Sequence, residues 1–565
     1  MVSALLAAAL LLSEGTSKVY PPSSERAGAP NTYVFAQTQR VDVGGGATSV
    51  SAETNVPTPR RGYFPLRLFV DNSTGPTQSI KLGYYPSNNT GRPITKDVEV
   101  RQGERRTVIL AVPYLFRYGN VRARGPGISK KGDAHVYFNS TYAPQRPLLS
   151  IGTTDEFERW VDKPPAHTDG DLSVYSIAAD EAPTELAAYA GYDTVAIPAA
   201  AFESLNEAQR RALESYAATG GTLVLGKGGR GLAAALPLMK EGKEEYGFGR
   251  LVVVDGQPDF ATVFNSTTPV VSPRASPRSM SGRVYRYVDA NPGSDFTALL
   301  PQATAPIGRF LLIIGLFTLA IGPGSIWVAR RRGPAMLLLT IPGTAFITCT
   351  VIIGYSLIQD GFTVHASTQG LTWLDSKQHR ALQVGLTAYY ANLAPGSARF
   401  SSLTVVVPPQ EGSGEVYAPG IEWNEGATMG SDFVPSRTYR EWGYVSAEPT
   451  RARVLLKKKD GAWVVQNALG SRVVSMVFMA DDRLWMVADL RDGAEATGAK
   501  QSGGLPHFEG PAANRFSAEL QQKFAAPLKE GEFLATVEGQ GFTPSGGLRL
   551  TEHDSGNLVR GEVER

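Results

Sequence analysis

Residues 310–358 read FLLIIGLFTLAIGPGSIWVARRRGPAMLLLTIPGTAFITCTVIIGYSLI, and this stretch limits how the rest of the chain can fold. It holds two runs without a charged residue, 310–329 and 336–358, on either side of a basic turn at 330–334. Each run is long enough to cross a hydrocarbon core of ~30 Å at ~1.5 Å per residue. The stretch predicts a hairpin of two transmembrane helices. The alternative is a buried helical hairpin, but soluble helices rarely lack a polar face over this length.

The basic turn predicts the orientation of the chain in the membrane. Arg330, Arg331 and Arg332 lie in one short loop, and short basic loops stay in the cytoplasm. The regions before and after the hairpin are then extracytoplasmic, which places the protein in a bacterial cytoplasmic membrane. An apolar segment within residues 1–15 agrees, because it predicts a signal peptide. An uncleaved N-terminal anchor is the alternative for that segment.

Composition argues against several classes of protein. A formal net charge of +2 over 565 residues is close to neutral and predicts no binding of nucleic acid. The single cysteine, Cys349, excludes an intramolecular disulfide and any site built from several cysteines. The six histidines show no metal-ligand spacing, so the sequence predicts no metal site and no cofactor. They are His135, His167, His365, His379, His507 and His553.

The N-terminal region, residues 31–147, has the pattern of a β-sandwich. Residues 63–70 alternate between apolar and polar, and several short runs of this kind follow with turns between them. The charged run RQGERR at 101–106 is predicted to be the solvated turn of a hairpin.

Residues 148–256 have a different rhythm, in which short apolar strands alternate with helices. Strands are predicted at 148–151, 172–177, 193–198, 222–225 and 251–254. A helix is predicted over 205–219, with Asn206 as its N-cap. Strands that alternate with helices indicate a parallel, doubly wound sheet.

The C-terminal region, residues 362–565, is predicted to be mostly β and extracytoplasmic. One hairpin is predicted around Asp460-Gly461 and another around Asp481-Asp482. The sequence therefore predicts a multidomain protein: a β-sandwich, an α/β domain, a two-helix transmembrane hairpin and a C-terminal β domain.

The segment GGTLVLGKGG at 220–229 has the Gly-x-x-x-x-Gly-Lys spacing of a phosphate-binding loop. Such a loop needs its four central residues in a loop conformation and a Ser or Thr after the Lys. Here the four central residues, Thr222 to Leu225, form a predicted strand, and Gly228 follows the Lys. The segment therefore does not predict a nucleotide site of this kind.

The series YDTVAIP at 192–198 and LNEAQRRALESYAATGGTLVLGKGG at 205–229 resembles the class I glutamine amidotransferase-like domain. The resemblance covers about residues 148–256 and implies a flavodoxin-like α/β domain. In active members the turn after the last of these strands carries a nucleophilic cysteine. That position falls on or beside Gly228 here, and Cys349 lies in the second membrane helix. The resemblance thus implies a domain without its thiol nucleophile.

The same turn supplies the candidate ligand-binding residues. Lys227, Gly228, Gly229 and Arg230 can form a nest of backbone N–H groups that binds an anion. Glu203 follows the third strand and is the candidate carboxylate of this edge, where ligands of such sheets bind. A solvated loop carboxylate is the alternative for Glu203. No catalytic residue is predicted.

The layout of the whole chain resembles uncharacterised bacterial membrane proteins encoded beside MoxR-type ATPases and von Willebrand factor A proteins. We expect a non-catalytic membrane protein whose outer domains act as a binding or assembly scaffold in the cell envelope. Its expected partners are the lipid bilayer and other membrane or envelope proteins. One alternative is an extracytoplasmic hydrolase or transferase that uses a carboxylate in the α/β crevice. A transporter accessory or sensor subunit is another, although uncharged helices argue against an ion pathway within this chain.

Overall fold

The computed structural model describes residues 34–35, 38–57, 59, 62–87, 91–114, 116, 118–128, 133–139, 146–152, 157, 160, 172–226, 236, 245–255, 283–285, 288–289, 298–300, 307–360, 363–407, 419–501, 505 and 515–565. The apolar segment predicted at 1–15 lies outside the described residues.

The N-terminal region is built from β-strands, as its alternating sequence predicts. Its strands are β1 Val34–Phe35, β2 Gln39–Gly44, β3 Ser49–Thr54, β4 Val56–Pro57, β5 Tyr63–Asp71, β6 Gln78–Pro86, β7 Ile94–Val100, β8 Arg105–Pro113, β9 Tyr118–Arg124 and β10 Asp133–Asn139. One antiparallel sheet has the order β2-β3-β5-β8, and a second contains β7-β6-β9-β10-β4. Every second side chain of β5, from Phe64 to Val70, is buried between elements, which explains the alternation.

The charged run at 101–106 does not form the predicted hairpin. The strands on either side of it belong to different sheets, since β7 pairs with β6 and β8 pairs with β5. The buried side chain of Asn72 explains the change of sheet. Its amide donates to the carbonyl oxygens of Arg101 at 2.8 Å and Pro76 at 2.9 Å, so it fastens this connection to the one after β5. The prediction of a hairpin is therefore wrong at this turn.

The central region contains a parallel sheet, which confirms that part of the prediction. Its strands are β11 Arg146–Ile151, β12 Leu172–Ile177, β13 Thr194–Ile197, β14 Thr222–Gly226, β15 Glu245–Tyr246 and β16 Gly249–Val254, and two short strands follow, β17 Arg283–Tyr285 and β18 Val288–Asp289. The order is β1-β12-β11-β13-β14-β16-β15, and all neighbours are parallel except β15 and β16.

The predicted helix at 205–219 is divided. Helix α1 covers Ala199–Ser204, and α2 covers Glu207–Ala218. Asn206 is the N-cap of α2, as predicted: its side chain accepts a hydrogen bond from the Gln209 backbone at 3.0 Å, and its own backbone N–H donates to the Gln209 side chain at 2.9 Å. This reciprocal capping box explains why a new helix begins at Glu207. Short 3-10 turns at Ala179–Glu181 and Leu186–Tyr189 stand before β13.

Two helical segments are long and apolar enough to span a membrane. The first consists of α3 Ile307–Leu319, a π-helical turn at Ala320–Gly324 and α4 Ser325–Arg332, and the second is α5 Leu337–Asp360. Pro323 lacks a backbone donor, which explains the widened turn within the first segment. Gly333 ends α4 with φ +93, a conformation that favours glycine. The predicted helices at 310–329 and 336–358 are confirmed as helices, with longer bounds.

The C-terminal region is again β. Its elements are β19 Val364–Asp375, β20 Arg380–Ala391, β21 Ala398–Phe400, β22 Thr404–Val407, β23 Ile421–Trp423, β24 Ala427–Met429, β25 Arg440–Pro449, β26 Arg453–Lys459, β27 Ala462–Ala468, β28 Val473–Ala480, β29 Arg483–Leu490, β30 Glu495–Thr497, β31 Ala499–Lys500, α6 Ala518–Ala525, β32 Glu532–Glu538, β33 Leu550–Glu552 and β34 Gly556–Glu562. Both predicted hairpins, β26–β27 and β28–β29, are confirmed.

The regions before and after the two apolar helical segments share one sheet. Strand β23 pairs in parallel with β7, so β21, β24 and β23 extend the second N-terminal sheet. The indole of Trp423 donates to the Ala111 carbonyl at 2.9 Å, and the Tyr63 hydroxyl donates to the Val406 carbonyl at 2.5 Å. A single apolar cluster contains buried side chains of all three β-containing regions, for example Leu66, Leu223 and Val445. These regions therefore form one packed body.

Candidate functional site

The carboxyl edge of the parallel sheet is where the sequence places the candidate site. Strand β12 lies on one side of β11, and β13, the next strand along the chain, lies on the other side. The strand order therefore reverses direction between β11 and β13, which is the topological switch point of the sheet. Ligands of open parallel sheets bind outside the carboxyl ends of the strands at such a point. Here the edge includes Gly152 after β11, Pro198 after β13 and Gly226 at the end of β14.

Gly226 is required by the close approach of its neighbour. A Cβ atom at this position would lie 2.7 Å from the backbone nitrogen of Ala199, the first residue of α1. The end of β14 thus packs directly against the start of α1. Lys227, Gly228, Gly229 and Arg230, which come next, lie outside the described residues. The proposed anion-binding nest therefore stays a prediction.

Glu203 lies at the same edge, in the last turn of α1. The residue is exposed, and its backbone carbonyl accepts a hydrogen bond from the guanidinium of Arg210 at 2.5 Å. This contact fixes the junction between α1 and α2. An exposed carboxylate on a short helix can meet a ligand from solvent, and its role as a binding residue stays a prediction.

Two serines of this edge were missed by the sequence reasoning. Ser150 and Ser176 are register partners on β11 and β12, so their side chains lie on the same face near the carboxyl ends. Ser150 is fully buried, and the hydroxyl oxygens of both residues lack hydrogen-bond partners among the residues that the structure describes. A buried hydroxyl without a partner costs free energy, which a polar ligand or ordered water can recover. The available signal was a serine one residue before the end of each of two largely apolar strands.

The opposite face of β12 is fixed to the N-terminal region by a buried ionic cluster, the N-terminal junction, formed by Glu53, Arg67, Tyr175 and Glu181. Arg67 donates to both carboxylate oxygens of Glu53, at 2.9 and 2.6 Å, and to Glu181 at 2.9 Å. The Tyr175 hydroxyl donates to Glu53 at 2.5 Å. The contacts of Arg67 with Glu181 and of Tyr175 with Glu53 join the N-terminal region to the α/β region, so the cluster holds the two together.

The titration of this cluster agrees with a structural role. Burial alone would raise the pKa of Glu53, but the hydrogen bonds and charge of Arg67 outweigh burial and hold that pKa below its usual value. Burial, followed by the charge of Glu53, raises the pKa of Tyr175 well above its usual value. Perturbed pKa values also mark catalytic sites, but here the shift of Glu53 follows from its contacts with Arg67 and that of Tyr175 follows mainly from burial.

A second cluster, the C-terminal junction, joins α2 to the C-terminal region through Glu214, Tyr246 and Arg380. The Arg380 guanidinium forms a buried ion pair with Glu214, and the Tyr246 hydroxyl donates to Glu214 at 2.5 Å. Nε and Nη2 of Arg380 have no hydrogen-bond partner in the described part of the chain. The hydrogen-bond donors of the arginine are therefore less completely satisfied in this junction than in the N-terminal one.

The structure brings together two histidines that the sequence separates by 188 residues. Nδ1 of His365 lies 2.9 Å from Nε2 of His553. No group of three or more His, Cys, Asp or Glu residues with metal-binding geometry occurs among the described residues. The sequence could not reveal this pair, because β19 and the end of β33 meet only through the pairing of distant strands.

The predicted topology-determining arginines lie at the end of α4, directly before the turn that leads to α5. Arg330, Arg331 and Arg332 form the last turn of α4, and Arg331 stacks over the Trp327 ring with 4.1 Å to its centroid. An Arg over a Trp ring at the end of an apolar helix is typical of a membrane interface. Large apolar side chains of the helices face outward, with Leu338 84% and Phe346 74% exposed.

The sequence matches no model of a known protein family and no curated protein. Among solved structures, one similar chain is a cycloisomaltooligosaccharide glucanotransferase from Paenibacillus sp. with bound cycloisomaltoheptaose, at 8% identity and a TM-score of 0.13, covering 34% of this chain and 28% of that one. Another is an exo-chitosanase from Amycolatopsis orientalis, at 9% identity and a TM-score of 0.13, covering 94% and 64%. At such TM-scores neither likeness indicates a shared fold.

Proposed function

We propose that this protein is a non-catalytic membrane scaffold of the cell envelope, with one extracytoplasmic body held on a two-helix anchor. The pairing of β7 with β23 carries the proposal, because it joins residues before and after the membrane helices. An open sheet cannot continue through the hydrocarbon region of a bilayer. Both flanks must then lie on the same side of the membrane, which a two-helix hairpin allows.

The side is assigned by charge. Arg330, Arg331 and Arg332 end α4 beside the turn between the helices, opposite the body, and a short basic connection favours the cytoplasm. The body is then extracytoplasmic. Its exposed surface is available to other envelope proteins, and the bilayer surrounds the helices.

The α/β region supports a binding role in this scheme. Numbered along the chain from β11, its five parallel strands have the order 2-1-3-4-5, the order of flavodoxin-like domains. This order supports assignment to a flavodoxin-like, amidotransferase-like domain. The sole cysteine lies in α5, far along the chain from the turn after β14, so a thiol reaction at that turn has no nucleophile. We infer that the domain was retained for recognition.

The topology is tested by labelling single cysteines, for which the chain offers a convenient background. In a Cys349→Ser protein, new cysteines are placed at the exposed positions Ser73, Lys459 and Ala335. Ser73 and Lys459 lie in the body, and Ala335 lies in the turn between the helices and keeps all three arginines. A membrane-impermeant maleimide should label S73C and K459C in spheroplasts, and A335C only after lysis. Labelling of A335C alone would invert the topology, and opposite behaviour of S73C and K459C would refute the single body.

The scaffold role is tested by co-purification with two variants at the candidate edge. Glu203→Gln and Lys227→Gln should leave the set of co-purifying envelope proteins and the cellular phenotype unchanged if the body acts by its surface as a whole. An enzyme that uses the carboxylate would keep its partners but lose the phenotype with Glu203→Gln. Glu207→Gln, an exposed carboxylate one turn further on, is the matched control.

A further inference from the structure

A groove of about 540 Å³ lies at one end of the large C-terminal sheet. It is lined by His379, Pro449, Thr450, Arg451 and Arg453. His379 belongs to the turn between β19 and β20. The other four follow one another at the end of β25, in the connection after it and at the start of β26. The volume lies within the range of roughly 300–1,000 Å³ that is typical of small-molecule sites.

The lining of the groove is basic. Of the five described residues that line it, two are arginines, one is a histidine and none carries a carboxylate. Arg451 is exposed and forms no ion pair among the described residues. Arg453 approaches Glu564 with its Nε at 3.6 Å, a loose contact that leaves the other guanidinium nitrogens available. The groove thus presents an excess of positive charge and of hydrogen-bond donors.

One backbone hydrogen bond joins the two walls of the groove, and a second hydrogen bond shapes one of them. The carbonyl of His379 accepts a hydrogen bond from the Thr450 backbone at 2.7 Å, and the Ala452 backbone donates to the Thr450 hydroxyl at 3.1 Å. His379 has a φ of 50, a left-handed conformation that is uncommon for a residue with a side chain. Backbone conformations of this kind often occur at binding sites, where the surrounding structure maintains them.

The geometry points to a binding site for the phosphate group of a small organic solute. A carboxylate offers two oxygens, which a single guanidinium can satisfy, whereas a phosphate group offers three or more and carries up to about two charges. Two guanidiniums and an imidazole in one groove match the larger oxyanion. The groove is also larger than inorganic phosphate requires, and Pro449 gives it an apolar wall for an organic moiety.

The position of the groove favours a solute over the head group of a surrounding lipid. Strand β19 begins four residues after α5 ends, and the groove lies beyond the other end of this strand. At about 3.3 Å per residue, its length separates the groove from the end of the membrane helix by roughly 40 Å. Phosphate binding here does not depend on the proposed scaffold function or on which side of the membrane the body lies.

The test is calorimetric titration of the full chain in phosphatidylcholine nanodiscs with glucose 1-phosphate. The double variant Arg451→Gln/Arg453→Gln should weaken binding by at least about tenfold, because each lost charge-assisted hydrogen bond accounts for a factor of that size. His379→Asn, which tolerates the left-handed conformation and lacks the imidazole, should weaken it by a smaller factor. The matched control is Arg483→Gln/Arg491→Gln, which removes two exposed arginines of the same region outside the groove.

Each other outcome has a defined meaning. Equal weakening by the control pair, or no saturable binding of glucose 1-phosphate below about 10 mM, would overturn the site. Equal affinity for glucuronate would overturn the selectivity for phosphate. If nanodiscs containing phosphatidylglycerol abolish binding of glucose 1-phosphate, the phosphate chemistry holds and the source is a lipid head group. Unfolding temperatures of all variants should match that of the parent protein, since the substituted side chains are exposed.

Discussion

The two junctions of the α/β region are built from the same three residue types, Arg, Glu and Tyr. They differ in how many hydrogen-bond partners the arginine has. In the N-terminal junction, Arg67 donates to both oxygens of Glu53 and also to Glu181, and Tyr175 completes the set. In the C-terminal junction, Arg380 reaches only Glu214, and two of its guanidinium nitrogens have no partner in the described part of the chain. Both guanidiniums are nonetheless largely buried, at 16% and 11% exposure.

This difference indicates which interface can separate. A buried ion pair stabilises only when its geometry is good and its remaining donors are satisfied, since desolvation otherwise cancels the attraction. The N-terminal junction meets that condition and the C-terminal one does not. We expect the α/β region to stay with the N-terminal region when the C-terminal region is perturbed.

The largest effect is expected from Glu53→Ala. The substitution leaves the buried guanidinium of Arg67 with Glu181 as its one carboxylate, and removing one partner of a buried pair costs about 3–5 kcal/mol. Scanning calorimetry of the detergent-solubilised protein should show the loss as an earlier first transition. Glu207→Ala is the control, because its exposed pair with Arg211 contributes only about 0.5 kcal/mol. Equal shifts for the two variants would mean that the N-terminal junction does not stabilise the contact.

Glu214→Ala should have a smaller effect, about 1.5–3 kcal/mol. It removes two hydrogen bonds, from Arg380 and Tyr246, where Glu53→Ala removes three, and the ion pair that it breaks is already incompletely satisfied. The double variant Arg380→Met/Glu214→Gln should return to within about 1 kcal/mol of the parent protein, since an incompletely satisfied pair is replaceable by neutral side chains. Limited proteolysis at the border of the C-terminal region measures the separation. A double variant less stable than Glu214→Ala would show that the pair is strongly stabilising.

Acid should act on the N-terminal junction. The folded-state pKa of Glu53 is held below its usual value of 4.5, so its stabilisation is fully present above about pH 4.5 and is lost as the pH falls through the lower folded-state pKa. The slope that Glu53 contributes in this window is at most about 1.4 kcal/mol per pH unit. The difference in unfolding temperature between the parent protein and Glu53→Gln should shrink as the pH falls from 5 to 3, taken as roughly the range of carboxyl titration. A constant difference would assign the acid sensitivity to other carboxylates.

The smallest effect is expected from Lys523→Met, beside the C-terminal junction. The Lys523 ammonium donates to the Gly247 carbonyl, and burial lowers the pKa of this amine. Methionine keeps the volume and removes a desolvated charge but leaves the carbonyl unpaired, so the two changes should cancel to within about 1 kcal/mol. A loss as large as that of Glu53→Ala, in the same calorimetric assay, would show that this contact is a principal link.

Local features of the molecule were predictable from the sequence. Asn206 caps a helix and Asp460-Gly461 turns a hairpin because both depend on residues a few positions away. The membrane helices follow from composition alone. The pairing of β7 with β23 and the contact of His365 with His553 join residues more than 180 positions apart, and no local pattern encodes them. For the same reason the sequence did not reveal the basic groove or the serines at the carboxyl edge, and the turn at 101–106 changes sheet through the distant Asn72.

The pairing of β7 with β23 has a consequence for how the chain is made. Synthesis delivers β7 more than 300 residues before its partner strand, and both apolar helices are made in between. During that interval the backbone groups along one edge of β7 have no strand to pair with, and such edges template association with other chains. Under the proposed topology, the newly made N-terminal region needs protection by a chaperone or by the insertion machinery until β23 has crossed the membrane.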